Sequence, residues 1–298
     1  MRAAGIKELS GAVVPLAQPA PADPENDELL LDVRAAGVGN WDDLMRTGAW
    51  PSGLALPSTL GVEAAGVVRA VGHDVTDFAP GDEVMVYVFP FRNGGTWAQR
   101  VRVPAECAAP KPAALTWSEA SVLPVPVLTA YQVLHGLLGV SAGRRLLVNG
   151  AGGVTGGLMV QLAVAAGAEV VATAGPESTA RLRSYGSVEV LERGAVRPAS
   201  VDLAVNAARA GSPLALTAVT DGGRLVSITD PPPEPERGID VTYHAVRPDG
   251  RQLSLLARQA GHGVLRPPAV RAFTLENADG ALSTVRAGSR GAAVALLT

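Results

Sequence analysis

The sequence predicts an α/β protein with two domains, one built on a parallel sheet covered by helices and the other rich in β-strands. The chain has 298 residues, which is too long for a single small hydrophobic core. Residues 144–175 follow the order buried strand, glycine turn, amphipathic helix and second buried strand, which is a βαβ unit. Further apolar runs at 188–191, 201–208, 223–229 and 239–246 indicate that the parallel sheet continues beyond this unit.

The first 122 residues have a different pattern, in which short β-like runs alternate with glycine-containing turns. This pattern is typical of an irregular barrel or sandwich. Apolar residues take up helical spacing over residues 118–140, where Ser118 and Ser121 are candidate helix caps, so a domain boundary is predicted after residue 122. Residues 249–263 are expected to form the last helix of the parallel-sheet domain, and the strand–helix–strand pattern of residues 264–298 is expected to rejoin the first domain.

Composition excludes several classes of function. The net charge is −3, with 25 basic and 28 acidic residues, so the chain has no basic excess that would favour nucleic acid. The single cysteine, Cys107, has no partner for an internal disulfide and favours a reducing cytoplasm. The sequence contains no secretory h-region and no uninterrupted apolar stretch of about 20 residues, which disfavours secretion and membrane insertion.

The glycine turn of the βαβ unit predicts a dinucleotide phosphate site. Gly150, Gly153 and Gly156 are three residues apart, follow a strand that ends at Asn149 and precede a helix expected to begin near Thr155. Unpaired N–H groups and the positive end of the helix dipole favour a pyrophosphate there. Val154 belongs to the same loop.

The end of the second strand indicates which dinucleotide binds. Proteins that bind NAD usually carry an acidic residue at this tip, but here the tip is Ala174 and Gly175. Ser178 and Arg181 follow closely enough to meet a 2′-phosphate, so NADPH is predicted. Two observations leave the choice open: Glu177 is an acidic residue near the tip, and Arg181 with Arg183 also fits a solvated helix face.

Two further strand ends are predicted to contact the cofactor, because ligands of open parallel sheets bind at the carboxyl edge. Asn206 with Ala207 follows one strand, and Ser227 with Ile228 follows the next.

Six sequence blocks, in order, resemble the medium-chain dehydrogenase/reductase superfamily, specifically its zinc-free branch of NADPH:quinone oxidoreductases and enoyl reductases. The blocks are GVGNWDDLMRTGAW at 37–50, LGVEAAGVVRAVG at 60–72, FAPGDEV at 78–84, GGTWAQRVRVPA at 94–105, LPVPVLTAYQVL at 123–134 and the glycine loop. The resemblance implies a GroES-like catalytic domain over residues 1–122 and 264–298, and a Rossmann domain over residues 123–263 with the cofactor in the cleft between them.

Departures from the zinc alcohol dehydrogenases imply chemistry without a metal. Those enzymes have Cys and His ligands in blocks where this chain has Gly39 with Asn40, and Val62. Without a Lewis acid, the resemblance implies hydride delivery to a quinone, an enone or an enoyl group. Relatives often place a Lys at Thr179 and a Tyr near Leu191 for the 2′-phosphate, and this chain has neither.

The resemblance also implies candidate catalytic residues. The block at 37–50 lines the substrate pocket in relatives, so Asn40, Asp42 and Trp50 are candidates. Thr129 corresponds to a threonine that contacts the nicotinamide end in relatives, so its hydroxyl is expected to orient the ring. Each has an alternative interpretation: local backbone bonding for Asn40 and Asp42, packing for Trp50, and a helix back-bond for Thr129.

Three hypotheses follow for function. The leading one is an NADPH-dependent reductase of a conjugated carbon–carbon double bond, which would include tailoring steps of polyketide synthesis. The others are a nucleotide-binding protein without turnover, and a cyclase or isomerase without net redox change. Residues 239–246 correspond to an edge at which relatives pair their sheets, so a homodimer is predicted, and His244 lies on that strand.

Overall fold

The computed structural model describes residues 1–50, 54–89, 94–289 and 291–298. These residues form two compact units. The first unit comprises Met1–Val125 and Arg247–Thr298, and the second comprises Pro126–Val246. The sequence predicted boundaries after residues 122 and 263, so the second boundary lies closer to the N-terminus than expected.

The strands are β1 (Arg2–Ile6), β2 (Val14–Ala17), β3 (Glu28–Val38), β4 (Ser58–Thr59), β5 (Glu63–Val71), β6 (Glu83–Tyr87), β7 (Arg100–Pro104), β8 (Ala108–Pro110), β9 (Arg145–Asn149), β10 (Glu169–Thr173), β11 (Val188–Leu191), β12 (Val201–Asn206), β13 (Val219–Ser227), β14 (Asp240–Tyr243), β15 (Val270–Thr274) and β16 (Ala293–Leu297).

The α-helices are α1 (Asn40–Thr47), α2 (Trp117–Ser121), α3 (Pro124–Tyr131), α4 (Val154–Ala165), α5 (Pro176–Arg183), α6 (Ser212–Ala218), α7 (Gly250–Gly261) and α8 (Ala278–Arg286). Helix α3 continues as a wider helical turn over Gln132–Leu137.

The first unit is β-rich. Its larger sheet has the order β15-β16-β3-β5-β6-β8, with β7 also paired to β3, and a small sheet has the order β2-β1-β4. The long strand β3 pairs with both β5 and β16, so the C-terminal strands belong to the same sheet as the N-terminal ones. A buried core that includes Leu29, Leu31 and Leu296 packs around Trp97, whose indole Nε1 donates to the Gly37 carbonyl at 2.9 Å.

The second unit is a six-stranded parallel sheet with the order β11-β10-β9-β12-β13-β14. Numbered from β9 as the first strand, this is the 3-2-1-4-5-6 order of dinucleotide-binding Rossmann folds. Helix α4 follows β9 and is buried along most of its length, as its apolar residues on every face predict. The predicted combination of a Rossmann sheet and a β-rich domain is confirmed.

Two local predictions differ from the structure. The helix predicted at 249–263 is α7, which belongs to the first unit, where a Cβ built on Gly250 would lie 2.3 Å from the Ala108 carbonyl oxygen. Ser118 and Ser121 do not cap α2. Instead Thr116 accepts from the Glu119 amide while the Glu119 carboxylate accepts from the Thr116 amide at 2.9 Å, because Thr followed by Glu three residues later forms a capping box.

In the part of the chain that the structure describes, no helix has both the length and the hydropathy needed to cross a membrane.

Candidate functional site

The glycine loop joins β9 to α4, and two of its three predicted glycines are required by the fold itself. Gly150 has φ of +88°, a backbone conformation that disfavours any other residue. Gly156 lies against the loop backbone, since a Cβ built there would be 2.4 Å from the Gly150 carbonyl oxygen. Both positions therefore exclude side chains for structural reasons.

Gly153 is different, because nothing in the fold requires a glycine there. Its φ is −74° and its ψ is 173°, which any residue adopts, and the nearest atom to a built Cβ is the Gly150 carbonyl oxygen at 3.5 Å. The residue is exposed and is the N-cap of α4. Ser, Thr, Asp and Asn are preferred at such positions, so glycine here keeps the space in front of the helix open.

The N-terminus of α4 is available to an anion. Among the described residues, no side chain accepts a hydrogen bond from the first turn at the N-cap. The first intrahelical bond is the one that the Gly157 amide donates to the Gly153 carbonyl at 3.0 Å, so the amides of Val154, Thr155 and Gly156 precede it at the helix N-terminus. Free amides at the positive end of a 12-residue helix are the usual donors to a phosphate group.

Behind the loop, a row of polar residues crosses the carboxyl edge of the sheet. Four neighbouring strands each contribute one buried polar residue, and each residue is paired in register with the next: Thr173, Asn149, Asn206 and Ser227. We call these four residues the polar row. Strand ends that meet at one edge place their last side chains next to one another, so the row follows from the parallel topology.

The polar row is held together by hydrogen bonds between neutral groups. Thr173 Oγ1 donates to Asn149 Oδ1 at 2.6 Å and accepts from the Gly150 amide at 3.0 Å. Asn149 Nδ2 donates to Asn206 Oδ1 at 2.9 Å and to the Gly211 carbonyl at 3.1 Å. The first residue of the glycine loop is thus fixed by the row.

Asn206 extends this network beyond the row. Its Nδ2 lies 2.7 Å from Asp230 Oδ1 and 3.0 Å from Ser212 Oγ, and Ser212 Oγ in turn lies 3.0 Å from Ser227 Oγ. Backbone hydrogen bonds join the same strand ends. The Ala207 amide donates to the Asn149 carbonyl, and the Ile228 amide donates to the Asn206 carbonyl. The predicted residues Asn149, Asn206, Ala207, Ser227 and Ile228 are therefore brought together.

The residues predicted to meet a 2′-phosphate lie against the glycine loop. Arg181 Nη2 donates to the Gly152 carbonyl at 2.7 Å, and Nη1 donates to the Tyr185 hydroxyl at 3.2 Å. Ser178 is buried, with its Oγ 3.1 Å from a Cβ built on Gly152. Arg183 is exposed on α5.

The tip of β10 carries a carboxylate that comes from α5. A Cβ built on Gly175 would lie 2.5 Å from Glu177 Oε2 and 2.6 Å from Oε1. Ala174 is buried beside it, and Glu177 itself is exposed.

In the first unit, Asp42 is fully buried near the start of α1. Its Oδ2 accepts from the Gly39 amide at 2.7 Å, while its Oδ1 has no hydrogen-bond partner among the described residues. Burial raises the pKa of Asp42 to about 8, although the Gly39 and Gly61 amides act in the opposite direction. This carboxyl is therefore held largely as the neutral acid near pH 7, and its contact is with the local backbone.

Glu63 forms a buried carboxyl cluster with Asp42, and Tyr87 is paired in register with Glu63 across β5 and β6. Glu63 Oε2 accepts from the Val125 amide at 2.8 Å, and burial followed by the Asp42 charge raises the pKa of Glu63 well above its usual range. Burial and the Glu63 charge raise the pKa of Tyr87. We use the name carboxyl cluster for Asp42 and Glu63.

The other catalytic candidates differ in how deeply they are buried. Asn40 is exposed at the start of α1. Trp50 is half-buried with its ring 4.7 Å from the Phe89 ring, and Thr129 is buried on α3. The His244 amide donates to the Ser227 carbonyl at 2.9 Å. Within the described residues, no group of three or more His, Cys, Asp or Glu side chains is placed to share a metal ion.

Sequence reasoning missed several members of these clusters. Thr173, Ser212 and Asp230 were not predicted, although Thr173 is the last residue of a strand, as Asn149 and Asn206 are. Glu63 and Tyr87 were also missed. The signal for Glu63 is a single charged residue within the apolar run GVEAAGVV.

Residues 25–113 match the family model of the alcohol dehydrogenase GroES-like domain. A highly reducing polyketide synthase from Arthrinium phaeospermum is 39% identical over 165 residues, which are 55% of this chain and 6% of that protein. Mouse quinone oxidoreductase is 32% identical over 177 residues, which are 59% of this chain and 50% of that enzyme. The chain thus spans half or less of the length of these curated relatives.

The crystal structure of an alcohol dehydrogenase superfamily protein from Novosphingobium aromaticivorans is similar over the whole chain. It superposes with a TM-score of 0.89 at 27% identity, covering 100% of this chain and 99% of the other. Together with the strand order of the second unit, these matches show that the chain is similar to the quinone oxidoreductases and enoyl reductases of the medium-chain dehydrogenase/reductase superfamily.

Proposed function

We propose that the chain is a nicotinamide dinucleotide-dependent reductase that reduces a quinone or a carbon–carbon double bond conjugated to a carbonyl, without zinc. The observation that carries this proposal is Gly153. The backbone there does not require a glycine, yet the absence of a side chain leaves an open space in front of the α4 N-terminus. A pyrophosphate matches the partial positive charge and the hydrogen-bond donors of a helix N-terminus.

The residues around the loop fit a dinucleotide cofactor. Gly153, Val154 and Thr155 would hold the pyrophosphate, and Ala174 and Gly175 lie at the tip of β10, next to the place of the adenosine ribose. Asn206 and Ser227 hold the neighbouring strand ends in place through the polar row.

When bound, the reduced nicotinamide supplies a hydride for the β-carbon of the acceptor. The acceptor gains two electrons and one hydrogen at that carbon, and a proton from solvent completes the reduction at the carbonyl side. Negative charge on the carbonyl oxygen needs a hydrogen-bond donor, for which Asn40, Thr129 and the Trp50 indole remain the candidates. Asp42 is a poor candidate, because its carboxyl is buried and bonds to Gly39.

The relatives support the choice of acceptor. Similarity to mouse quinone oxidoreductase supports a quinone, and similarity to a highly reducing polyketide synthase supports an enoyl or enone group of a polyketide intermediate. The sequence predicts NADPH as the reductant, through Ser178 and Arg181.

The test is absorbance at the reduced-nicotinamide band with NADPH or NADH, after addition of a simple quinone, a cyclic enone or an enoyl thioester. The proposal expects acceptor-dependent loss of absorbance and a product that is two hydrogens heavier. Tight nucleotide binding without oxidation by any acceptor would contradict the reductase and favour the non-redox alternatives. Product formation without nucleotide consumption would favour a cyclase or isomerase.

We also propose a homodimer formed through β14. This strand is the last in the order of the parallel sheet, and Tyr243 on it is exposed. Exposed strand edges are ready sites for pairing between copies of a chain. Sedimentation at twice the monomer mass at micromolar concentration is expected, and sedimentation at the monomer mass would contradict it.

A further inference from the structure

The tip of β10 decides which nicotinamide nucleotide a Rossmann domain accepts. In βαβ nucleotide sites, the adenosine ribose lies at the end of the second strand, where an acidic side chain binds the free hydroxyls and a cation accommodates a 2′-phosphate. The strand of this chain ends in Thr173, followed by Ala174 and Gly175, which provide neither group.

Glu177 supplies a carboxylate at this tip from the first turn of α5. Both of its carboxylate oxygens lie within 2.6 Å of the position that a Gly175 Cβ would occupy. The carboxylate therefore fills the place from which a side chain at residue 175 would project. Because Glu177 is exposed, this group is accessible to a ligand.

The side chains that were predicted to bind a 2′-phosphate make contacts within the protein. The Arg181 guanidinium donates to the Gly152 carbonyl and to the Tyr185 hydroxyl, and a Cβ built on Gly157 would lie 2.7 Å from its Nη1. Arg181 therefore braces the glycine loop. Ser178 is buried, and its Oγ lies 3.1 Å from a Cβ built on Gly152.

We propose that Glu177 makes this nucleotide site selective for NADH over NADPH. Its carboxylate accepts hydrogen bonds from the ribose hydroxyls, and it repels the negative charge of a 2′-phosphate at the same place. The inference rests on the proposed function, since it requires a dinucleotide at the glycine loop. It reverses the preference predicted from Ser178 and Arg181 in the sequence.

A simpler role for Glu177 is stabilisation of α5. An acidic residue in the first turn of a helix interacts favourably with the helix dipole whether or not a ligand binds. The two roles differ in what a substitution changes: a helix-stabilising acid alters thermal stability, whereas a specificity residue alters the ratio of two affinities.

The experiment measures dissociation constants for NADH and NADPH by nucleotide fluorescence with the full chain and three variants. Glu177→Gln keeps the size of the side chain and removes the charge, Glu177→Lys reverses the charge, and Glu234→Gln removes the charge of an exposed loop residue as a matched control. Thermal melting of each variant checks that it is folded.

We expect the unaltered chain to bind NADH at least about tenfold more tightly than NADPH, the size of effect that one charge-assisted hydrogen bond provides. Glu177→Gln should bring the two affinities within about threefold, Glu177→Lys should favour NADPH, and Glu234→Gln should change nothing. A preference of the unaltered chain for NADPH, or a ratio that Glu177→Gln leaves unchanged, would overturn the inference. If the unaltered chain bound neither nucleotide, the proposed function would fail, and the inference would fail with it.

Discussion

The two units bury polar side chains in opposite ways. The polar row of the second unit contains neutral amides and hydroxyls that bond to one another, with Asn149 using both of its amide hydrogens. The carboxyl cluster of the first unit contains ionisable groups, and Asp42 Oδ1 has no partner among the described residues. The four residues of the polar row carry no ionisable group, whereas a buried ionisable cluster makes stability depend on pH.

The largest effect is expected from breaking the polar row. Asn206→Ala leaves Asn149 Nδ2, Ser212 and Asp230 without their shared partner, so the free energy of unfolding should fall by about 3 kcal/mol. Urea unfolding followed by circular dichroism measures this loss. Asn26→Ala, which changes an exposed turn amide, is the control. An equal, small effect of both variants would show that the row contributes little to stability.

The pH dependence of the first unit is the next largest effect. Folded Asp42 keeps its proton up to about pH 8, whereas an unfolded Asp loses it near 3.8, so folding takes up a proton between these values. The free energy of unfolding therefore decreases as pH rises through this window and levels off above it. Glu63 acts in the same direction.

Asp42→Asn tests this dependence, because it keeps an acceptor for the Gly39 amide and cannot ionise. Between pH 6 and 8 its melting temperature should fall less than that of the unaltered chain, by an amount equivalent to about 1–2 kcal/mol, which is below the full linkage limit of about 1.4 kcal/mol per pH unit. Asp43→Asn is the control, since Asp43 is only half-buried and pairs with Arg46 at 2.8 Å. Parallel melting curves for Asp42→Asn and the unaltered chain would contradict the cause assigned to the pKa.

Arg181 places a cation beside the glycine loop. Arg181→Gln removes the bond to the Gly152 carbonyl, so affinity for NADH and NADPH should fall by the same factor, about tenfold. Fluorescence titration measures both affinities, and Arg183→Gln on the exposed side of α5 is the control. A loss confined to NADPH would mean that Arg181 contacts the 2′-phosphate, as the sequence suggested.

The smallest effect is expected from Tyr185, whose hydroxyl accepts a hydrogen bond from Arg181. Tyr185→Phe removes the acceptor of one Arg181 hydrogen bond of 3.2 Å, while the shorter bond to Gly152 stays. Nucleotide affinity should fall by less than about threefold, as expected for one weak exchanged hydrogen bond. A tenfold loss would show that Tyr185 rather than Gly152 determines where the guanidinium lies.

The contrast between the units also explains what could be predicted from the sequence. Strand ends are visible in a sequence, so Asn149, Asn206 and Ser227 were correctly predicted to lie at one edge, where they turn out to bond to each other. Side-chain direction is not visible, because it depends on packing between elements. Arg181 was therefore expected to face the ribose, although it turns back to Gly152.

The same limit applies to the carboxyl cluster. Asp42 is fully buried and interacts with residues distant in sequence, among them the Gly61 amide and Glu63. A sequence pattern identified Asp42 as a candidate but gave no indication that burial would raise its pKa. Helix α7 was assigned to the wrong unit for a related reason, since the sequence does not show the close approach of Gly250 to Ala108 in the first unit.

Gly153→Ser tests the central claim, that the glycine loop holds a dinucleotide, most directly. Serine is a better N-cap than glycine by a few tenths of a kcal/mol, and a Cβ at this position meets no atom closer than 3.5 Å, so the variant should melt at or above the temperature of the unaltered chain. Its side chain would fill the proposed phosphate space, so NADH and NADPH affinity should fall at least about tenfold. Gly136→Ser, at an exposed glycine with nothing within 4 Å of a built Cβ, should leave binding unchanged. A stable Gly153→Ser variant that binds both nucleotides as tightly as the unaltered chain would contradict the account.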